Sequence, residues 1–243
     1  GFFSSFILIQ FILVMRYAAS VEYEGTNFFG WQRQSSVKSI QEEIEISISQ
    51  ITQTNISIQG AGRTDAGVHA LGQVFHFDTD IIRPIKSLIK GANSFLPDSI
   101  RIKWIKRVPD DFHARFLATG REYQYLLYNA SINSSIWSNH CGWSFYDLDY
   151  DLLKKASKKF EGCHDFTAFR SSECQAKSPI RLIENIRVEK FNSYYLFTIN
   201  GDGFLHHQIR NMIATIIDVA KKEMSIDYID ILFQKKDRSL TPA

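Results

Sequence analysis

Cysteine is scarce. Cys141, Cys163 and Cys174 are the only three, and no two form a Cys-x-x-Cys pair. Three thiols cannot all pair internally, which argues against a disulfide framework and for a reducing cytoplasm, with the thiols expected buried and free. Long apolar runs are scarce too. The strongest, "GFFSSFILIQFILV" at residues 1–14, is too short to span a bilayer and lacks the basic stretch that opens a secretory signal. Met15 stands directly before "RYAASVEYEG", so residues 1–14 read as an apolar extension outside the fold, and no membrane partner is expected. An excess of one charge is also missing. Lys and Arg number 28 against 26 Asp and Glu, a net charge of +2 that neither demands nor excludes nucleic acid. No Gly-Lys-Ser/Thr completes a phosphate loop, and His69, His76, His113, His164, His206 and His207 include no His-Glu-x-x-His, so no metal or cofactor is expected.

What is present suffices for a large core: 44% of the 243 residues are hydrophobic and 14% aromatic. The length allows one large domain or two halves of about 110 residues each. "MRYAASVEY" (15–23) has strand composition. Ser39 and Glu42 form a capping box before Ile40, Ile44, Ile48 and Ile51, which share a helical face. Strands are predicted at 55–59, 71–78 and 100–108, with a helix after Pro84 carrying Ile85, Leu88, Ile89 and Ala92. The order β-α-β-β-α-β is the ferredoxin-like plan. The second half repeats it: strands at 121–129, 181–191 and 194–200, helices at 151–161 and about 205–222, and a last helix near "IDYIDILFQ". The expectation is an α+β fold of two such halves, residues 15–112 and 113–243, sharing a mainly antiparallel sheet around a central cleft. The second half stops one strand short, so the natural chain is expected to continue past Ala243.

The stretch "GAGRTDAGVHA" (60–70) is too poor in bulky side chains to build core. Asp and Gly favour turns, so a solvated turn is the plain reading of Asp65. Small neighbours would also let a planar ligand approach the backbone, and a nearby cation would keep the carboxylate ionised for service as nucleophile or base. Between residues 81 and 121, nine basic residues stand against three acidic ones, a footprint for phosphates. Strict alternation over 100–108 would place Arg101, Lys103 and Arg107 on one exposed side. Tyr123 and Tyr125, beside Arg121, suit base stacking or core packing.

"VEYEGTNFFGWQRQ", "GAGRTDAGVHALGQVFHFDT", "FHARFLATGREYQYLLYN", "HDFTAFR" and "GDGFLHHQIRNM" together resemble the TruA family of tRNA pseudouridine synthases, over about residues 15 to 222 and in the family order. The resemblance implies a pseudouridine synthase fold, a homodimer, and isomerisation of uridines at positions 38, 39 and 40 of the tRNA anticodon arm. It implies that Asp65 is the catalytic aspartate, Tyr123 the base-stacking tyrosine and Arg210 the arginine that pairs with Asp65. Arg63, with Lys103 and Arg107, would contact RNA. Asp65 would attack the nucleotide as a covalent nucleophile or act as a base at the ribose; both routes stay open. Without redox change or hydrolysis, no cofactor is required. The competing reading is a non-catalytic RNA-binding protein with two RRM-like halves, which would leave Asp65 unused beside repelling phosphates.

Overall fold

The computed structural model describes residues 14–242; the apolar extension lies outside them but for Val14, which is exposed. The chain falls into two compact units, Gly1–Ala118 and Thr119–Ala243. In the first, β1 (Met15–Tyr23), α1 (Ile40–Thr52), β2 (Ile58–Gly60), β3 (Ala70–Thr79), α2 (Ile85–Phe95) and β4 (Ile100–Arg107) follow the predicted order. Their strands form one antiparallel sheet in the order β2-β3-β1-β4. Helix α1 starts where the cap was read, with Ser39 Oγ accepting from the Glu42 N–H at 3.3 Å. Its Ile40, Ile44 and Ile48 are buried with Leu88 and Ala92 of α2 and with Tyr17, Ala19, Val21, Phe75 and Phe77 of the sheet.

The segment after β4 covers part of the other sheet face. Arg16 makes a two-pronged pair with Asp78 (2.8 and 2.7 Å) and donates to the Phe112 carbonyl at 2.9 Å. The Ala114 N–H donates to Nδ1 of His76 at 3.2 Å. Covered on both faces, the middle of β1 has room only for Ala18, Ala19 and Ser20, all buried.

Strand β4 departs from the alternation expected of it. Val21 pairs with Ile102 but Ser20 pairs with Trp104, so Lys103 is an extra residue that shifts the phase. Beyond it Ile105 turns into the core, and Arg107, opposite Tyr17, follows the phase of Ile105 rather than that of Arg101. The three cations therefore do not share one side. Strand β2 is also shorter and later than predicted.

The second unit contains β5 (Arg121–Asn129), β6 (Gly142–Ser144), α3 (Tyr150–Lys158), β7 (Gly162–Asp165), β8 (Ile180–Phe191), β9 (Tyr194–Gly201), α4 (Gln208–Ala220) and α5 (Tyr228–Lys235). Its sheet runs β6-β5-β9-β8-β7. Each unit thus has its own sheet of hydrogen-bonded strands, four in the first and five in the second. Strands β6 and β7 were not foreseen. The three residues of β6 run parallel to β5 over Leu127–Asn129, covering part of the edge that the sequence reading leaves without a strand. Helix α4 is shorter than its periodic pattern because His207, with φ of 62°, breaks the helical path before Gln208. The cysteines are free but not buried as expected: Cys141 and Cys174 are half-buried and Cys163 is exposed. Among the described residues no helix is long and apolar enough to cross a membrane.

His76 makes the first unit sensitive to acid. Burial lowers the affinity of its ring for a proton, and His113 and Arg16 add to this while Asp78 opposes them. The folded pKa lies below the unfolded one, so this contribution to stability is complete above about pH 6.5 and is lost as the pH falls below it. The Asp78 carboxyl, held low by its hydrogen bonds to Arg16, loses its contribution in a separate, more acidic window. Urea unfolding at several pH values should show His76→Phe destabilised by about 1–3 kcal/mol at neutral pH, because the Ala114 N–H loses its acceptor. The variant should also lose part of the slope just below pH 6.5. An unchanged slope would assign it to other groups.

Candidate active site

The loop after β2 is gripped by the segment 23–31. The Trp31 N–H donates to the Thr64 carbonyl at 3.0 Å, and the Gly67 N–H donates to the Phe28 carbonyl at 3.2 Å. The Tyr23 hydroxyl lies 2.8 Å from Thr64 Oγ1, and the Gly25 N–H donates to Nδ1 of His69 at 3.0 Å. Gly30 has φ of +85°, and a Cβ there would stand 2.5 Å from the Thr64 carbonyl oxygen. Only glycine permits both the turn and the approach. At Gly60 a Cβ would meet the Trp31 indole at 2.7 Å. Trp31 itself is buried between Tyr23 and Phe75.

Magnitudes show what holds the loop. Each backbone bond contributes about 1 kcal/mol net, whereas losing a buried Trp side chain costs about 3–5 kcal/mol. The indole is the anchor, and the hydrogen bonds set direction. Asp65 sits half-buried at the crest, between Thr64, whose carbonyl is fixed, and a turn closed by the Val68 N–H donating to the Asp65 carbonyl at 3.2 Å. Arg63 is exposed. The Gly62 carbonyl accepts from Gln73 Nε2 at 2.6 Å, tying the near limb to β3.

In the second unit, Tyr123 and Tyr125 lie two residues apart on β5 and so share a face. The Tyr123 ring meets Phe204 edge-on at 5.0 Å. Burial pushes the Tyr125 phenol up, Cys141 adds to this, and the Arg210 charge opposes it. Arg210 is exposed in the first turn of α4. The next residue is buried: Asn211 Nδ2 donates to the Phe169 carbonyl at 2.7 Å, while its Oδ1 accepts from Arg238 at 3.1 Å. Thr241 Oγ1 donates to the Ala168 carbonyl at 2.8 Å. "HDFTAFR", "HHQIRNM" and "DRSLT" are thereby tied together.

The structure partly neutralises the basic stretch. Lys103 pairs with Glu22 at 2.8 Å and Arg101 with Asp98 at 2.5 Å. Arg107 is exposed and forms no ion pair among the described residues. Segment 23–31 and the Asn211 clamp are contributions that reading the residues one by one missed. The quoted motifs "VEYEGTNFFGWQRQ", "HDFTAFR" and "GDGFLHHQIRNM" are the signal that marks them.

The family described as tRNA pseudouridine synthase matches residues 19–117 and 156–243. Asp65 and Arg210 fall inside these segments, and Tyr123 falls between them. A protein named tRNA pseudouridine synthase A from Pseudoalteromonas atlantica is 44% identical over 93% of this chain and 86% of its own. Proteins of the same name from Shewanella frigidimarina (43%; 93% and 87%) and Acinetobacter baumannii (42%; 93% and 85%) are similar to nearly the same extent. An agreement that runs through both units and takes in the gripped aspartate loop shows that this chain belongs to the tRNA pseudouridine synthase family.

Proposed function

We propose that this chain isomerises uridine to pseudouridine in the anticodon arm of tRNA, at positions 38, 39 and 40, with Asp65 as the reacting carboxylate. The observation that carries this reading is the grip on Thr64, which presents Asp65 on a loop of small residues in a chain of this family. A uridine turned out of its stack needs such a loop, because a planar base must come close to the backbone. The N1–C1′ bond breaks, the uracil rotates, C5 bonds to C1′, and the C5 proton leaves to solvent while N1 gains one. Atoms and electrons balance without an oxidant or water. Asp65 serves at C1′ as nucleophile, or at the ribose as base.

In this reading Tyr123 stacks on the base and Arg210 pairs with Asp65. Arg63, Lys103 and Arg107 meet the phosphate backbone. The ferredoxin-like element order of the first unit and the Arg210 charge acting on the Tyr125 phenol support it. A cytoplasmic homodimer belongs to the same proposal. The exposed Ile132, Ile136, Trp137, Trp143 and Phe145 give the second unit apolar surface of the kind that a second copy would cover.

The direct test is tritium release to water from C5-labelled uridine in tRNA. Free uracil would point to hydrolysis instead, and tight binding without release to an RNA-binding module. Asp65→Asn should lower turnover by several orders of magnitude while leaving the dissociation constant for tRNA within a few-fold. A residual rate above about a tenth of wild type would remove Asp65 from the chemistry. Tyr123→Phe should keep far more activity than Tyr123→Ala, since the ring face survives, and equal losses would shift the role to the hydroxyl. Arg210→Ala should lower turnover more than Arg210→Lys.

Gly30 offers a test of the loop itself. Gly30→Ala places a Cβ against the Thr64 carbonyl and strains the backbone by about 1–2 kcal/mol. The expected result is a folded protein with sharply lower kcat and nearly normal tRNA affinity. Full activity would show that the grip does not position Asp65.

A further inference from the structure

Two open pockets lined by charge include no residue of the Asp65 loop, and they differ in kind. The one beside α1, lined by Arg33, Glu45 and Ser49 among others, already has its cation satisfied, since Arg33 pairs with Glu42 and Glu45. The other, of about 300 Å³, is lined by Thr167, Arg170, Ser171, Ser172, Lys236, Asp237 and Arg238. Three cations face one carboxylate there, and that carboxylate is engaged: Asp237 Oδ1 accepts from the Ser239 N–H at 2.9 Å and from its hydroxyl at 2.7 Å.

The cations retain unused donors. Arg238 is held in place by donating to the Thr241 carbonyl at 2.7 Å and to Asn211 Oδ1 at 3.1 Å, yet a guanidinium carries five N–H groups. Lys236 spends one donor on Asp165 at 2.9 Å. Arg170 is half-buried and makes no hydrogen bond or ion pair among the described residues. No unpartnered side-chain nitrogen is buried among the described residues, so the Arg170 guanidinium reaches solvent and its donors stay open to an outside acceptor. Hydroxyls of Ser171 and Ser172 flank it, and the Ser171 N–H donates to the His206 carbonyl at 2.9 Å. The pocket wall is therefore tied to the segment that leads into α4 and Arg210.

We propose that this pocket is an anion subsite that takes a phosphodiester of the bound RNA, with Arg170 as its principal ligand. The proposal rests on tRNA being the substrate. The planar N–H forks of Arg170 and Arg238 match the oxygens of a phosphate better than a solvated lysine face would.

The test measures tRNA binding to the full chain across a range of salt. Arg170→Gln should weaken binding several-fold near 0.1 M salt and reduce the magnitude of the log–log salt slope by about 0.7–0.9, the value for one phosphate contact. Arg170→Lys should keep most of the slope. Ser172→Asp, at an exposed position, should weaken binding with an unchanged melting temperature, which covers the case in which Arg170→Gln misfolds. Two results would overturn the subsite: a slope unaltered by Arg170→Gln, or inorganic phosphate at fixed ionic strength binding in an Arg170-dependent way while the tRNA slope stays the same. The wild type runs in parallel. If it binds no tRNA, the substrate reading fails; if it binds with a steep slope that Arg170→Gln shares, only the pocket fails.

Discussion

The geometry around Asp65 depends on one backbone contact, the Trp31 N–H to the Thr64 carbonyl, and on the missing side chain at Gly30 that allows it. A loop of glycine and alanine has no core of its own and would sample many conformations, at a cost of about 1–2 kcal/mol for each residue ordered. The hydrogen bonds that order it cannot offset this alone. The buried indole of Trp31 supplies the difference: it fixes segment 23–31 against Tyr23 and Phe75 and fills the space over Gly60. Hydrophobic burial at one end of the loop thus determines where a carboxylate stands at the other.

The second unit solves its own positioning problem by polar means. Asn211 is fully buried and satisfied on both sides, by Phe169 and by Arg238. A buried amide left half-satisfied would cost more than it contributes, so the three segments it joins stand or fall together. Asp165 extends the clamp. Burial disfavours its charge, but hydrogen bonds from Thr167 and the ion pair with Lys236 outweigh that and hold its pKa low. The first turn of α4, which carries Arg210, and the pocket around Arg170 rest on this common support. Changes there are expected to be coupled rather than additive.

Elements with a full period were legible in the sequence. The Ile40, Ile44 and Ile48 stripe and the Ser39 cap locate α1, and β5 runs over the residues expected of it. Strands of three and four residues such as β6 and β7 contain no complete alternation to read. The bulge at Lys103 escaped for a related reason: alternation assumes an unbroken ladder, and only the partner strand shows that Lys103 is extra. At the site, the small residues of "GAGRTDAG" marked a backbone shaped around a charge. The grip from Gly30 and Trp31 was illegible as physics because it joins segments more than thirty positions apart and leaves no local pattern. The exposure of Cys163, on a four-residue strand, departs from the burial expected of a thiol because that expectation rests on the average behaviour of the residue type.

A net charge of +2 has to serve a polyanionic substrate, and the placement of charge shows how it can. Part of the basic stretch is masked by neighbours, with Lys103 on Glu22 and Arg101 on Asp98. Both pairs are substantially exposed, where such contacts contribute about 0–1 kcal/mol. A phosphate with several negative neighbours can take over either cation at little cost, so pairing in the free protein does not remove these residues from an RNA footprint. It holds them in place and limits non-specific attraction. Arg107 and Arg170 differ in lacking an ion pair among the described residues, and they lie in separate units. An RNA that touches both must engage the two halves of the chain, so local clusters rather than overall charge would recognise the substrate.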